Sequence, residues 1–302
     1  DDFYEVQLLV LDELCEKLSV KKENLIFCCG NHDVHRGQEL PLITEYLNEM
    51  NSEKELEEFV TSDSKKKEYE NSLLNIENFL KFQKDYFKDD NASNNINDLY
   101  SIHSRKSEDG KKIAVVTINT SWRCYDSDKD SGNLLFPNKL IENIALAVKN
   151  YDFKILLLHH PLSELKYWNK TLIENKIFES FHVMLLGHIH KDVKTTIANN
   201  DEGLITSTST AVLSKINEYE KMGFSLLDID IELKNVAFKN FNIDSEFITY
   251  KTNEYTLDIP VSGIKKEYIE LRKKITRLYG IELENGNDLF LNNFNGKKGF
   301  FE

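Results

Sequence analysis

Three apolar runs that each end in histidine constrain this chain more than any other feature. Leu25 to Cys29 leads into Gly30, Asn31, His32 and Asp33; Ile155 to Leu158 leads into His159, His160 and Pro161; Val183 to Leu186 leads into Gly187, His188, Ile189 and His190. A short apolar run bounded by turn residues predicts a buried strand. In α/β sheets ligands bind outside the carboxyl ends of the strands, so three such ends can converge on one site. Five of the chain's 8 histidines sit at these ends, and clustered histidine with carboxylate points to a metal. Gly30 permits the sharp turn and close backbone approach needed there. His188 and His190 are two apart, so a regular strand would place them on one face, and a turn would still let both reach one centre.

Taken in order, the strings GNHD, LLLHHP and LLGHIH resemble the motifs of the calcineurin-like metallophosphoesterase superfamily, over most of residues 3–232. The resemblance implies an α/β fold, a four-layer α/β/β/α sandwich. It also implies that Asn31, His159 and His188 bind one divalent ion and His190 a second. Imidazoles with one amide oxygen suit manganese, iron or zinc better than calcium. Two such ions clamp a phosphate and lower the pKa of a bridging water. His32 corresponds to the leaving-group acid and Asp33 to the residue that orients it. His160 is expected beside the ligands and close to substrate. Arg36, Arg123 and His35 either touch substrate phosphate or are ordinary surface residues, and His103 and His182 are assigned to structure.

The family also uses an Asp-x-His motif and a Gly-Asp motif that supplies a bridging aspartate. The chain contains no Gly-Asp and no separate strand-linked Asp-x-His; Asp1 and Asp2 precede a helical pattern. The expectation is an N-terminally incomplete domain, part of a longer polypeptide. Its four ligand candidates include no carboxylate, and two close cations repel strongly without anionic ligands. Residues 1–302 alone are therefore not expected to hold a complete two-metal centre.

Around the motifs, Val6, Leu9, Val10, Leu14 and Leu18 have helical spacing and are expected to cover one sheet face. From about 38 to 98 a Glu-, Lys- and Asn-rich insertion predicts short helices around 38–60 and one long helix from Leu73 to Phe87. This insertion is either a surface layer or a cap that selects substrates. Ile113 to Asn119 predicts a strand ending at the site rim, and Pro137 starts a helix to about Asn150. The loop carrying Asp126, Asp128 and Asp130 departs from a calcium loop and reads as solvated. Runs at Val193–Ile197, Leu204–Ser207, Gly223–Ile231 and Val236–Ile243 predict a second sheet. Residues 1–243 are expected to form the metallophosphoesterase domain. Residues 244–302 are expected to be a C-terminal extension, open to truncation, with a strand near Tyr255–Ile259 and a helix near Gly263–Tyr279.

The net charge of −13 argues against a generic polyanion binder. The 4 cysteines form no C-x-x-C pair, which suits inert thiols in a reducing cytoplasm. No apolar run approaches the ~18 residues of a membrane span. Two classes of function remain. One is a metal-dependent phosphoesterase acting on a nucleotide, nucleic acid or phosphoprotein. The other is a catalytically inactive scaffold that keeps the fold and some metal affinity.

Overall fold

A computed structural model describes residues 2–259 except 39, 89–93, 191–192, 199–202, 209–221 and 244–248, together with residue 274. Seven strands, β1 (Asn94–Ile96), β2 (Tyr100–Lys106), β3 (Lys112–Ile118), β4 (Phe153–Leu158), β5 (Val183–Leu186), β6 (Lys194–Ala198) and β7 (Gly203–Thr208), form one sheet. Their order is β1-β2-β3-β4-β5-β7-β6. The pairs β3–β4, β4–β5 and β5–β7 are parallel, and the outer pairs are antiparallel. Central parallel strands are covered on both faces, which is why β3 and β4 appear in the sequence as continuous apolar runs.

The N-terminal stretch is helical, as its periodicity predicts, in three consecutive pieces: α1 (Asp2–Val6), a π-helical turn (Gln7–Leu11) and α2 (Asp12–Leu18). The five residues expected to cover the sheet do not do so. Val6, Leu9, Val10, Leu14 and Leu18 are all exposed. The helix packs through its other side, with Phe3 against Phe79 and Phe82, and Cys15 buried.

The insertion forms α3 (Pro41–Glu49), α4 (Glu53–Thr61), α5 (Lys66–Ser72) and α6 (Glu77–Tyr86). The single long helix expected from Leu73 is instead a 3-10 turn at Leu74–Ile76 followed by α6. The break has a visible partner: Asn75, inside that turn, accepts a hydrogen bond from the His35 amide at 2.7 Å. The crossovers are α7 (Asn138–Val148) between β3 and β4, and α8 (Tyr167–Ser180) between β4 and β5. Together α7 and α8 bury Ile141, Ile144, Val148, Ile173 and Ile177 in one core with Val116, Ile118, Leu156 and Leu158. Each such side chain removed from water stabilises the fold by roughly 1.5–3 kcal/mol.

On the opposite face Phe153, Val183 and Ile205 meet Val236 and Phe238 of a second sheet. That sheet contains β8 (Met222–Asp230), β9 (Asn235–Ile243) and β10 (Thr249–Asp258), ordered β10-β9-β8. The protein is thus an α/β sandwich of helices, sheet and sheet over the described residues. Two strands expected in the second sheet, β6 and β7, belong to the first, because Ile205 of β7 pairs with Val183 of β5. Here β10 carries the second sheet past residue 243. Of the helix expected near 263–279, all but residue 274 lies outside the described residues.

Leu25 to Cys29 is the main departure. It is not a ladder strand, since β2 and β4 occupy both edges of β3. The segment lies against the helices instead. Phe27 contacts Phe82, Tyr86 and Phe87, and its carbonyl accepts from Gln83 at 3.5 Å. No helix among the described residues is long and apolar enough to cross a membrane.

Candidate metal centre

The centre forms where β3, β4 and β5 stop together. Ile118 pairs with Leu158, and Leu158 with Leu186, so the residues that follow all emerge at one sheet end. From β4 come His159 and His160, and from β5 come Gly187, His188 and His190. The Gly30–Asp33 turn arrives from the side: its Cys29 carbonyl accepts from the Ser121 hydroxyl at 2.9 Å. The turn is closed in both directions, by Gly30 N–H to Asp33 Oδ2 at 2.7 Å and by Asp33 N–H to the Gly30 carbonyl at 3.1 Å.

Turn and strand meet at one contact. His159 Nε2 lies 2.9 Å from Asn31 Oδ1. An amide oxygen only accepts, so this nitrogen carries the proton and donates. Two glycines lie close against the ring. A Cβ on Gly187 would lie 2.9 Å from His159 Nδ1, and one on Gly30 would lie 3.1 Å from Nδ1 and Cε1. Larger residues at either position would collide with the imidazole.

His159, His160 and His188 form a cluster whose potential ligand atoms lie within 4.8 Å of one another. The ring centroids are 5.2 Å apart for His159 and His188, and 4.8 Å for His160 and His188. His188 and His190 have φ of 67° and 47°. Two left-handed non-glycine residues in one turn are uncommon and carry local strain, a feature that gathers at functional sites.

Burial keeps these rings neutral. His159 is pushed down to about 4 by burial, then by the imidazoles of His188, His32 and His190. His160 is pushed down to about 3 by burial and by His159 and His188. His188 is also lowered by burial, while the charges of Glu164 and Asp130 oppose the shift. Burial raises the Asp33 carboxyl, opposed by the Gly30 N–H and by His32. Neutral imidazole is the form that coordinates metal.

The donor set fits one divalent ion. His159 Nε2 and Asn31 Oδ1, 2.9 Å apart, are near enough to be ligands of one ion. An ion there would replace the hydrogen bond, with the single proton of the neutral His159 ring on Nδ1 instead of Nε2. For a second ion the described residues offer His190. The three-residue cluster has no carboxylate, and that of Asp33 is engaged by Gly30.

The remaining site candidates are placed as follows. His32 is exposed, near enough to shift His159 and His188. Arg36 is exposed on the same turn, and its charge reaches Asp126 and Cys124. His160 is only 2% exposed; its Nδ1 meets Thr120 Oγ1 at 2.8 Å and its Nε2 meets Cys124 Sγ at 3.6 Å. Arg123 is 5% exposed, donates to Asn48 of α3 at 2.8 Å, lies over Trp122 and Tyr125, and is lowered by burial to about 10. As placed, His160 and Arg123 are buried within the frame, and no hydrogen bond joins either to the Gly30–Asp33 turn. From sequence Thr120 is expected at the site rim and Gly187 within the third motif, but the contacts they make, and the place of Cys124 at the site, depend on strand register.

A family model described as calcineurin-like phosphoesterase matches residues 2–192, well over half of the chain. No curated protein matches it. Among solved structures, a purple acid phosphatase from yellow lupin seeds is 14% identical, with TM-score 0.31, over 52% of this chain and 32% of that one. A putative 5'-nucleotidase from Staphylococcus aureus is 11% identical, with TM-score 0.27, over 64% and 39%. The NAD nucleotidase of Haemophilus influenzae is 13% identical, with TM-score 0.27, over 65% and 41%. The chain thus spans well under half the length of each of these three proteins.

Proposed function

We propose, from the premise that this chain belongs to the calcineurin-like phosphoesterase family, that it is a metal-dependent hydrolase of phosphodiesters or phosphomonoesters. The observation that carries the proposal is the meeting of Asn31, His159 and His188 at one sheet end. Asn31, His159 and His188 would hold one ion and His190 a second, of manganese, iron or zinc type. When bound, such ions supply Lewis-acid stabilisation of phosphate oxygens and a water of lowered pKa.

The chain's own residues supply the rest. To bind an ion through Nε2, His159 would adopt the neutral tautomer with its proton on Nδ1, and Gly30 and Gly187 lie close against the ring. His32, on the open side of the turn, donates a proton to the leaving oxygen. Asp33 closes the turn through the Gly30 N–H and so fixes where His32 stands. Exposed Arg36 offers positive charge to the phosphate. Buried His160, bonded to Thr120, backs the His159 and His188 rings. A cytoplasmic setting accords with the free thiols of Cys15, Cys28, Cys29 and Cys124.

A second reading, a scaffold without turnover, draws on the absence of carboxylate from the cluster. One assay separates them: hydrolysis of bis-p-nitrophenyl phosphate and a panel of monoesters with added manganese. The hydrolase reading expects turnover that a chelator abolishes. Absence of turnover on every ester by the metal-loaded, intact protein would leave the scaffold.

A further inference from the structure

Beside the metal centre, the exposed side of the Gly30–Asp33 turn opens into a cleft of about 420 Å³. Phe3 and Val6 of α1, His32, Val34 and His35 of the turn and its continuation, and Asn78 of α6 line it. We propose that this cleft is the leaving-group subsite and that the group it takes is a nucleoside, which makes the substrate a nucleotide. The direction of the argument rests on the hydrolase reading, because it needs His32 as the proton donor to the leaving oxygen.

Three observations carry it. The first is placement. His32 belongs to the cleft wall and directly follows Asn31, whose Oδ1 meets His159 Nε2 at 2.9 Å in the centre. A leaving group on the side of its proton donor therefore extends into the space beyond His32, and that space is this cleft.

The second is chemistry. Phe3, Val6 and Val34 give apolar surface, and Asn78 adds an amide that both donates and accepts. His35 contributes a second ring heterocycle. Three apolar side chains beside four polar ones, the Asp33 carboxylate among them, suit a flat base with its ribose hydroxyls, and the volume falls within the roughly 300–1,000 Å³ of ligand sites. A small alkyl alcohol would leave the apolar wall wet. A nucleic-acid strand would have to approach a chain of net charge −13.

The third is rigidity. Phe3 stacks on Phe82 with centroids 5.5 Å apart and planes at 20°. The His35 amide donates to the Asn75 carbonyl at 2.7 Å. The walls come from three separate segments, and two of these are fixed by contacts outside the cleft. Preorganisation of that kind reduces the entropy a ligand must overcome.

The test uses free adenosine, which has no phosphate and needs no metal, titrated into the full chain while the His32 and His35 imidazole resonances are followed. Val6→Trp fills the cleft from a position already 47% exposed. Asn78→Leu removes the amide at an exposed helix position; thermal melting checks that both variants fold. We expect saturable shifts in the wild type, with affinity lowered about tenfold or more by each variant. Glycerol, as a control, should give none. No saturable shift, or binding indifferent to both variants, overturns the proposal. Ester hydrolysis measured alongside keeps the two readings apart. Adenosine binding without any turnover by the metal-loaded, intact protein would sink the hydrolase and leave the cleft as a nucleoside site; turnover without adenosine binding would do the reverse.

Discussion

Gly187→Ala places a methyl group where the His159 ring already lies. Its Cβ would stand 2.9 Å from Nδ1, 3.4 Å from Cε1 and 3.6 Å from the His159 carbonyl oxygen. Comfortable carbon contacts begin near 3.5 Å, so the ring must yield by about 0.6 Å. It has little room to do so, since Gly30 also crowds this edge, where even a hypothetical Cβ would be 3.1 Å from the same atoms. Overpacking of this kind costs about 1–3 kcal/mol. Misaligning the 2.9 Å bond to Asn31 costs about 1 kcal/mol more. Thermal melting should therefore show a midpoint lower by several degrees. A ligand moved by half an ångström should also weaken metal binding by about 10- to 100-fold, the size seen when ligand-orienting groups are removed. Calorimetric titration with manganese and with zinc reads this directly. Unchanged affinity together with an unchanged midpoint would mean that the ring is not confined as described, and the argument from the two glycines would fail.

Acidification should destabilise the metal-free protein. His159 titrates near 4 when folded against a usual 6.5, so between those values the unfolded chain binds a proton that the folded one refuses. The contribution is complete above pH 6.5 and declines as pH falls, by about 3 kcal/mol for this ring; denaturant melts in chelator at pH 7 and pH 4.5 that coincide would contradict it. Lys166→Met should cost about 2–4 kcal/mol, because its ammonium caps the carbonyls of Leu47, Asn48 and Met50 at the end of α3; a urea midpoint equal to wild type would show those carbonyls to be satisfied otherwise. His32→Ala should lower turnover roughly 10²–10⁴-fold with metal content retained, whereas His188→Ala should lose metal. Equal metal loss in both, by elemental analysis, would merge the two roles.

What could be read from the sequence depended on how local the cause was. The apolar runs of β4 and β5 announce themselves because parallel strands are buried on both faces. β2 does not, since it buries Ser101 and His103 and satisfies them across the sheet with Thr117 at 2.6 Å and Asn94 at 2.6 Å. Leu25 to Cys29 has the composition of a strand, but whether an edge is free beside β3 is decided elsewhere in the chain. The apolar stripe of α1 and α2 shows the same limit. Periodicity marks a face that favours burial, and packing chose the Phe3 and Cys15 side instead. At the site, Asn31, His159 and His188 were legible as motif residues. The contact of His160 with Thr120 and the closeness of Gly187 to His159 were not, because both follow from the register of Leu158 against Ile118 and Leu186.

The most direct test of the account is anomalous diffraction at the manganese edge from crystals of this chain soaked in manganese. The account predicts a peak bonded to Asn31 Oδ1, His159 Nε2 and a ring nitrogen of His188, with the hydrogen bond between Asn31 and His159 replaced. No peak at this sheet end, or one bound elsewhere while that hydrogen bond stays intact, would contradict it.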